Sequence, residues 1–390
     1  MAWVERRLSL IGAGWLTLVL SGCAAVTEDI PPVDPNSPTE ATIVTALGDV
    51  AFAAEGKLRA GANKGAWAHY THALRPLIIG DVNFANLEAV VTQKPLTSSE
   101  TQGAGFQMHT TGLKHLVEDL GFNLLSTAND RTGDFGREGQ LSTLAALSDY
   151  DDRVIHHGLG TTEALSQAKT GRVGEQEIAF AALGLSDNAP RPSSSGQPGQ
   201  WSVVSPPDWE KTVQAMMRRG ESFKVLSLHE GLEYEQMPED HVINRFRRAQ
   251  FRADLDLIIA HHSHVVRGLE MDVKGRVIAY GLGNGMLHGA VDISERGSTS
   301  DFGLMLRLYY RRSAMGPVLE ALEAIPLTSV HRAPRPMTPS ASKVRIRLLN
   351  VLSRETSNER ALELKTHATT GFGLWCRSML QTRQAIDLCS

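Results

Sequence analysis

The stretch "LDLIIAHHSHVVRG", Leu255 to Gly268, decides how the rest of the chain is read. Its first half is apolar and branched enough for a buried strand, and it ends in three histidines within four residues, His261, His262 and His264. Such a cluster is either a histidine-rich polar loop or one contributor to a metal site, and taken alone it leaves both readings open. If the chain stays extended past the strand, His262 and His264 project on the same side, which suits chelation.

Working outward, other apolar strands end in the same way. "ATIVTALGDV" reads as a short strand ending at Gly48-Asp49, and "VNFANLEAVV" carries Glu88. "NLLSTAND" ends in Asn129 and Asp130, and "FKVLSLHEG" reaches His229. Between them lie helical patterns, "GLKHLVEDLGF", "GREGQLSTLAALSDY", "PPDWEKTVQAMMRRG" and the basic "EDHVINRFRRAQFRA". Strands alternating with helices of this length give an α/β class with layers around a largely parallel or mixed sheet. Asp49, Glu88, Asn129, His229, His262 and His264 then gather where α/β sheets place their sites, beyond the strand ends. Carboxylates and imidazoles suit zinc, manganese or iron, and a carboxylate flanked by histidines suits two ions. Each residue has an ordinary alternative: Asp49 as a turn or helix cap, His229 bonded to backbone, Asn129-Asp130 capping the next turn. Six at equivalent positions favour the site.

The chain has 390 residues, 42% hydrophobic and 21% charged, with a formal net charge of −4. That balance permits a sizeable core and argues against nucleic acid as a partner. Arg6 and Arg7 precede an apolar run, Leu8 to Leu20, that ends in Leu-Ser-Gly-Cys. This reads as a lipoprotein signal peptide, residues 1–22, with Cys23 lipidated and residues 23–41 a proline-rich tether. The expectation is export and a lipid anchor in the bacterial cell envelope, in the outer membrane facing the periplasm if the host is Gram-negative. Cys376 and Cys389 remain, either bridged in an oxidising compartment or two free thiols. A domain over 42–328 is expected, followed by a basic helical tail over 329–390. "HEGLE" fails as a zinc-protease motif because position 233 is Glu, and no phosphate loop or nucleophile elbow occurs. "NRFRRAQFR" is the solvated face of an amphipathic helix or a basic groove for an acidic polymer.

The ordered stretches resemble the CapA family, poly-γ-glutamate capsule biosynthesis proteins whose fold is like that of calcineurin-type metallophosphoesterases. The resemblance runs from about Thr42 to Ile325. It is carried by "LGDV" at Leu47, "VNFANLE" ending at Glu88 and "GFNLLSTANDRTGDFGREG" from Gly121. "VLSLHEGLEY" from Val225, "DLIIAHHSHVVRGLE" from Asp256 and "VIAYGLGN" from Val277 complete it. It implies a layered α/β/β/α sandwich of the metallophosphoesterase-like type. It also implies two divalent ions (Mn, Fe or Zn) on the six residues named above. His261 would stand beside the ions, with Asn86 or Asn284 orienting imidazoles. Asp130 and Arg131 would be catalytic. The implied role is synthesis, export or attachment of an anionic surface polymer, within a capsule synthesis or export complex. The alternatives are a non-enzymatic polymer-binding scaffold or a periplasmic metallophosphoesterase. Several positions depart from the family's pattern. Asn129-Asp130-Arg131 stands for Asn-Asn-His, and arginine is a poor proton donor. Glu230 replaces a tryptophan, Ser263 a proline and Gly285 an aromatic, and Ala51 stands where the wider superfamily has histidine.

Overall fold

Apolar side chains occupy both faces of the central strands, so each strand must be covered on two sides. In the strand Phe223–His229, Phe223 and Val225 enter one core while Leu226 and Leu228 enter another. In Leu257–His261, Leu257 and Ile259 join the first core, Ile258 and Ala260 the second. The first core lies between two sheets. There Val44, Ala46, Phe84 and Leu124 meet Ile178, Phe180, Val225 and Ile259.

The computed structural model describes residues 39–55, 64–97, 105–174, 176–185, 196–220, 222–288, 297 and 299–390. The signal peptide, Cys23 and nearly all of the tether lie outside the described residues. Residues Pro38–Ser390 form one compact unit. The main path of the larger sheet runs Lys365–Thr366, Gly373–Cys376, Gly316–Thr328, Gly303–Ser313, Thr42–Glu55, Val82–Leu87, Leu124–Ser126, Ile155–His157. The smaller runs Leu269–Met271, Val277–Ala279, Leu257–His261, Phe223–His229, Gln176–Leu183, Lys169–Val173. Trp67, Tyr70, Leu113 and Leu116 cover the outer face of the larger sheet. The helices Pro206–Met217 and Asp240–Ala253 cover the smaller one through Val213, Met216, Phe246 and Ala249. The layering is α/β/β/α, as expected.

The helix Asp240–Ala253 illustrates how sequence sets the outer layer. Val242, Ile243, Phe246, Ala249 and Ala253 recur every three or four residues and are buried. Asp240 in the first turn and Arg252 in the last complement the helix dipole. The helix ends where Asp254 turns left-handed, at φ 53°.

Two expectations change. The first strand does not stop at Gly48-Asp49 but runs from Thr42 to Glu55. Its pairing shifts register between Asp49 and Val50, so one strand serves two neighbourhoods. The segment after 328 is not a separate helical tail. Ile346 and Leu349 of the helix Pro339–Thr356, with Leu362 and Leu364, enter the core between the sheets. The strand Gly373–Cys376 pairs antiparallel with Gly316–Thr328. Apolar residues spaced through a basic segment were the available signal, and charge masked it.

Cys376 and Cys389 are disulfide-bonded, closing the end of that strand onto the last helix, Arg383–Cys389. Glu320 of the strand Gly316–Thr328, 1% exposed, accepts from Thr382 N and Oγ1 of this loop at 2.9 and 2.8 Å and from Arg311 Nε at 3.0 Å. Arg383 N donates to Thr39 O at 3.1 Å, so the C-terminus holds the start of the first strand.

Replacing both cysteines by serine should cost about 3 kcal/mol through loop entropy. Denaturant melts should show a lower midpoint that reductant no longer moves. A second expectation concerns Asp256. Burial pushes its carboxyl up to about 7, partly offset by the Lys224 N–H donating to Oδ2 at 2.8 Å. Its folded value lies above the unfolded one of about 3.9, so its contribution is complete below that pH and is lost as pH rises through the folded value. Asp256→Asn should therefore gain stability relative to the parent between about pH 5 and pH 8. Urea melts at both pH values would read this, and a constant difference would refute it.

Candidate metal centre

Parallel pairing brings several strand ends to one level. Asp49 lies opposite both Asn86 and Asn284, and His229 lies opposite His261. Gly48 permits the pairing with Asn284, since a Cβ there would fall 1.8 Å from the Gly283 carbonyl oxygen. Asp49 N then donates to that same oxygen at 3.2 Å. Glu88 sits one residue past the strand Val82–Leu87, its N–H donating to Val50 O at 3.0 Å.

The histidine stretch does not stay extended. The strand stops at His261, and His262 and His264 take left-handed φ of 84° and 54°. Such a conformation costs about 1–3 kcal/mol per non-glycine residue and needs support. Tyr234 N donates to Ser263 O at 2.8 Å, and Ser263 Oγ to Val265 O at 2.9 Å. Arg267, only 1% exposed, donates from Nη2 to Leu232 O at 2.8 Å and from Nε to Glu235 O at 2.7 Å. This buried guanidinium ties the loop after His229 to the loop after His261. Sequence reading passed over it; its signal is an arginine at the end of an apolar run.

The twisted loop sends its histidines into two different groups. One comprises Asp49, Glu88 and His264, the other Asp130, His229 and His262. In each group, one ligand-type atom per residue lies within 4.8 Å of the others. The groups adjoin, with the rings of His262 and His264 6.5 Å apart. In the first, His264 Nδ1 is 2.8 Å from Asn284 Oδ1 and 3.4 Å from Asp49 Oδ2, and Nε2 lies 3.8 Å from Glu88 Oε1. An Nδ1–H donated to Asn284 leaves Nε2 facing the Glu88 carboxylate. In the second, His229 Nε2 is 3.1 Å from Asp130 Oδ1 and 3.2 Å from His262 Nδ1.

Asn86 connects them. Its amide donates to Asp49 Oδ1 at 2.9 Å and accepts from Asn129 Nδ2 at 3.2 Å. His261 is 2% exposed, stacked on Phe84, with Nδ1 3.2 Å from Asp49 Oδ1. It stands beside Asp49 and belongs to neither group.

The charges are far from their solution behaviour. Burial raises Asp49, but His261 and His264 outweigh it and hold the carboxyl well below the usual range. Burial and then the Asp49 charge push Glu88 well up. Burial lowers His264, yet Glu88 and Asp49 drive it well above the ordinary imidazole value. Burial and His229 bring His262 down to about 4. Asp130 is held low by His229 against its own burial. A divalent cation in the first group would take the place of the protons on Glu88 and His264.

The Asn129-Asp130-Arg131 turn adds a carboxylate to the expected set of ligands. Asn129 donates to Leu87 O at 2.8 Å, and its Oδ1 accepts from Arg131 N at 3.1 Å and Thr132 Oγ1 at 3.3 Å. Its amide organises the loop. The neighbouring Asp130, read from sequence as catalytic, is the side chain that joins His229 and His262. Successive side chains in a turn point apart, and sequence alone does not say which one turns inward. Arg131 lies 4.7 Å from the centre of the Phe106 ring, with Nε 3.4 Å from Asp130 Oδ2. Asp134, raised to about 6 by burial, receives the Phe106 N–H at 2.6 Å and anchors that ring. Glu230, 3% exposed, forms an ion pair with Arg245.

Do these residues suit metal ions? Glu88 Oε2 is buried without a hydrogen-bond partner, and Asp130 Oδ1 faces His229 Nε2 at 3.1 Å. Buried polar atoms are normally satisfied, so carboxylate and imidazole atoms converging in this state fit bound cations. Two carboxylates with one imidazole, and one carboxylate with two, suit divalent transition metals.

Residues 43–288, spanning every side chain in both groups, match the family model for the bacterial capsule synthesis protein PGA_cap. The chain belongs to the PGA_cap family. Among curated relatives, it is 26% identical to the PGA biosynthesis protein CapA of Bacillus subtilis (strain 168), over 51% of this chain and 51% of that protein. It is 25% identical to the capsule biosynthesis protein CapA of Bacillus anthracis, over 62% of this chain and 56% of that protein. The chain thus spans about half the length of the curated relatives it matches. Among solved structures, a phosphatase from Mycoplasma pneumoniae shares 14% identity at TM-score 0.43, covering 74% of this chain and 94% of that one. The calcineurin-like phosphoesterase YfkN from Bacillus subtilis shares 13% at TM-score 0.41, covering 75% and 91%. At such scores these likenesses carry no argument about chemistry. The PGA_cap match ends at His288, so the C-terminal strands and helices lie outside it.

Asp130→Ala should lower the metal-to-protein ratio of this PGA_cap protein by one ion. Asn129→Ala should keep both ions at saturating metal while losing about 1–3 kcal/mol of stability from its unsatisfied partners. Elemental analysis of both variants decides, and the opposite pattern would return the ligand role to Asn129.

Proposed function

We propose that this chain is an exported, lipid-anchored envelope protein that hydrolyses a bond in an anionic surface polymer such as poly-γ-glutamate. It would act during synthesis, export or attachment of the polymer, at two divalent ions of Mn, Fe or Zn. The observation that carries the reading is the pair of adjoining ligand groups, Asp49/Glu88/His264 and Asp130/His229/His262, inside a capsule-synthesis-family chain. The relatives' names supply the polymer, and the anchor rests on Cys23 in the sequence. Among the described residues no helix is long and apolar enough to cross a membrane.

Bound divalent ions would supply Lewis acidity and a more acidic water. The chain's own residues do the rest. Asn284 and Asn86 fix the orientation of His264 and Asp49. Arg131, over the Phe106 ring and 28% exposed, offers a fixed cation to an anionic substrate group. It holds its proton throughout, so the leaving group takes its proton from water or from another acid. A binding role without turnover is favoured by that same residue, because a permanent cation can grip a carboxylate but not protonate it.

Purified chain loaded with Mn should cleave poly-γ-glutamate or a generic phosphodiester, lose activity to a chelator, and regain it with metal. Asn284→Ala should reduce the rate or metal affinity about 10–100-fold. Arg131→Ala should cut turnover about a hundredfold if it stabilises developing charge. Full metal occupancy with no cleavage of either substrate would leave the polymer-binding role.

A further inference from the structure

The basic helix Asp240–Ala253 has a use beyond covering the smaller sheet. His241, Arg245, Arg248 and Arg252 recur at intervals of four, three and four, forming one stripe about 16 Å long. With Trp209 and Val204 this stripe lines a groove of about 400 Å³ between the helix and the segment leading into Pro206–Met217. Val204 is 53% exposed, an apolar floor under a cationic rim. At the middle of the groove Arg245 lies 5.5 Å from the Trp209 ring centre and donates to Val203 O at 3.1 Å. It also pairs with buried Glu230, the residue directly after His229. The groove is thereby tied to the chain segment that carries a metal-centre histidine. Arg252 is held by one competing carboxylate, Glu210, at 2.8 and 2.6 Å. Both partners are 42% exposed, where an ion pair contributes little and is easily exchanged.

We propose that this groove holds a segment of a polycarboxylate chain, with its methylenes on Trp209 and Val204 and successive carboxylates on Arg248 and Arg252. The inference rests on the polymer reading above and assigns it a second contact area. A narrow groove with cations along its length suits one extended chain better than a small anion or a flat bilayer. Arg245, engaged with Glu230 and Trp209, forms the groove's fixed part, while Arg248 and Arg252 are the exposed cations that a ligand can recruit and His241 is an exposed polar end.

The test uses the full chain and a fluorescently labelled oligomer of γ-linked glutamate, with a neutral oligomer of equal length and anionic phospholipid vesicles as comparisons. Saturable binding that weakens with salt is expected. Arg248→Glu combined with Arg252→Glu should weaken it about tenfold or more, at unchanged melting temperature and metal content. Should that pair lower the melting temperature, Arg248→Gln alone should still weaken binding. Glu210→Gln, which releases Arg252, should tighten binding, an effect that a purely structural Arg252–Glu210 pair would not give. No binding by the parent, equal binding of the neutral oligomer, or affinity indifferent to these variants overturns the groove. So does an effect of the variants on vesicles alone, which would assign the stripe to a membrane surface. Metal content and turnover, measured alongside, report separately on the hydrolytic reading.

Discussion

The close approach of Gly48 to Gly283 is the contact on which the site depends. No side chain fits between them, so the first strand and the segment before Asn284 lie flush, and Asp49 is held level with Asn86 and Asn284. The parallel register in the other sheet sets His229 beside His261 in the same way. Ligands drawn from positions as far apart as 49 and 264 meet because backbone pairing fixes their level and the two sheets share one core. A shift of one residue in the first strand would turn Asp49 to the opposite face.

Burying several charges together is unfavourable unless they compensate one another, and the centre shows how this chain does it. Asp49 is held by two imidazoles, Asp130 by His229, and Glu88 is left with a proton or a cation. The left-handed backbone at His262 and His264 belongs to the same arrangement, since it directs one imidazole to each carboxylate group. Arg267 keeps that backbone in place from below by satisfying two carbonyls of the neighbouring loop. The functional reading therefore leans on a buried cation whose shown role is to hold backbone carbonyls.

Much of this was legible beforehand. Strand-forming runs that end in Asp, Glu or His announce a shared site, because α/β sheets gather their strand ends. Asn86, Asn284 and His261 were legible as supports through the family resemblance. The places where reading failed share one cause. Asp130 follows Asn129, and only the turn shows that its carboxylate reaches His229 and His262. His262 and His264 project together only on extended backbone, and their left-handed turns send them to different groups. The first strand was cut short at Asp49 because a glycine and an aspartate resemble a turn. The segment after 328 was set aside because its charge concealed Ile346 and Leu349.

By itself the sequence determined the α/β class, the sandwich layering and the identity of nearly every side chain at the centre. The class and the side chains follow from local periodicity and from which residue types stand at strand ends, and the layering from the family resemblance. The tertiary structure decided the division of those side chains into two groups, the meeting of Asp130 with His229 and His262, and the inclusion of the C-terminal segment in the core. It also joined the basic helix to the metal centre through Arg245 and Glu230. Each of these depends on the direction a side chain takes once the backbone turns, or on a partner distant in sequence. Both are settled by packing and register, which no local pattern of residues encodes.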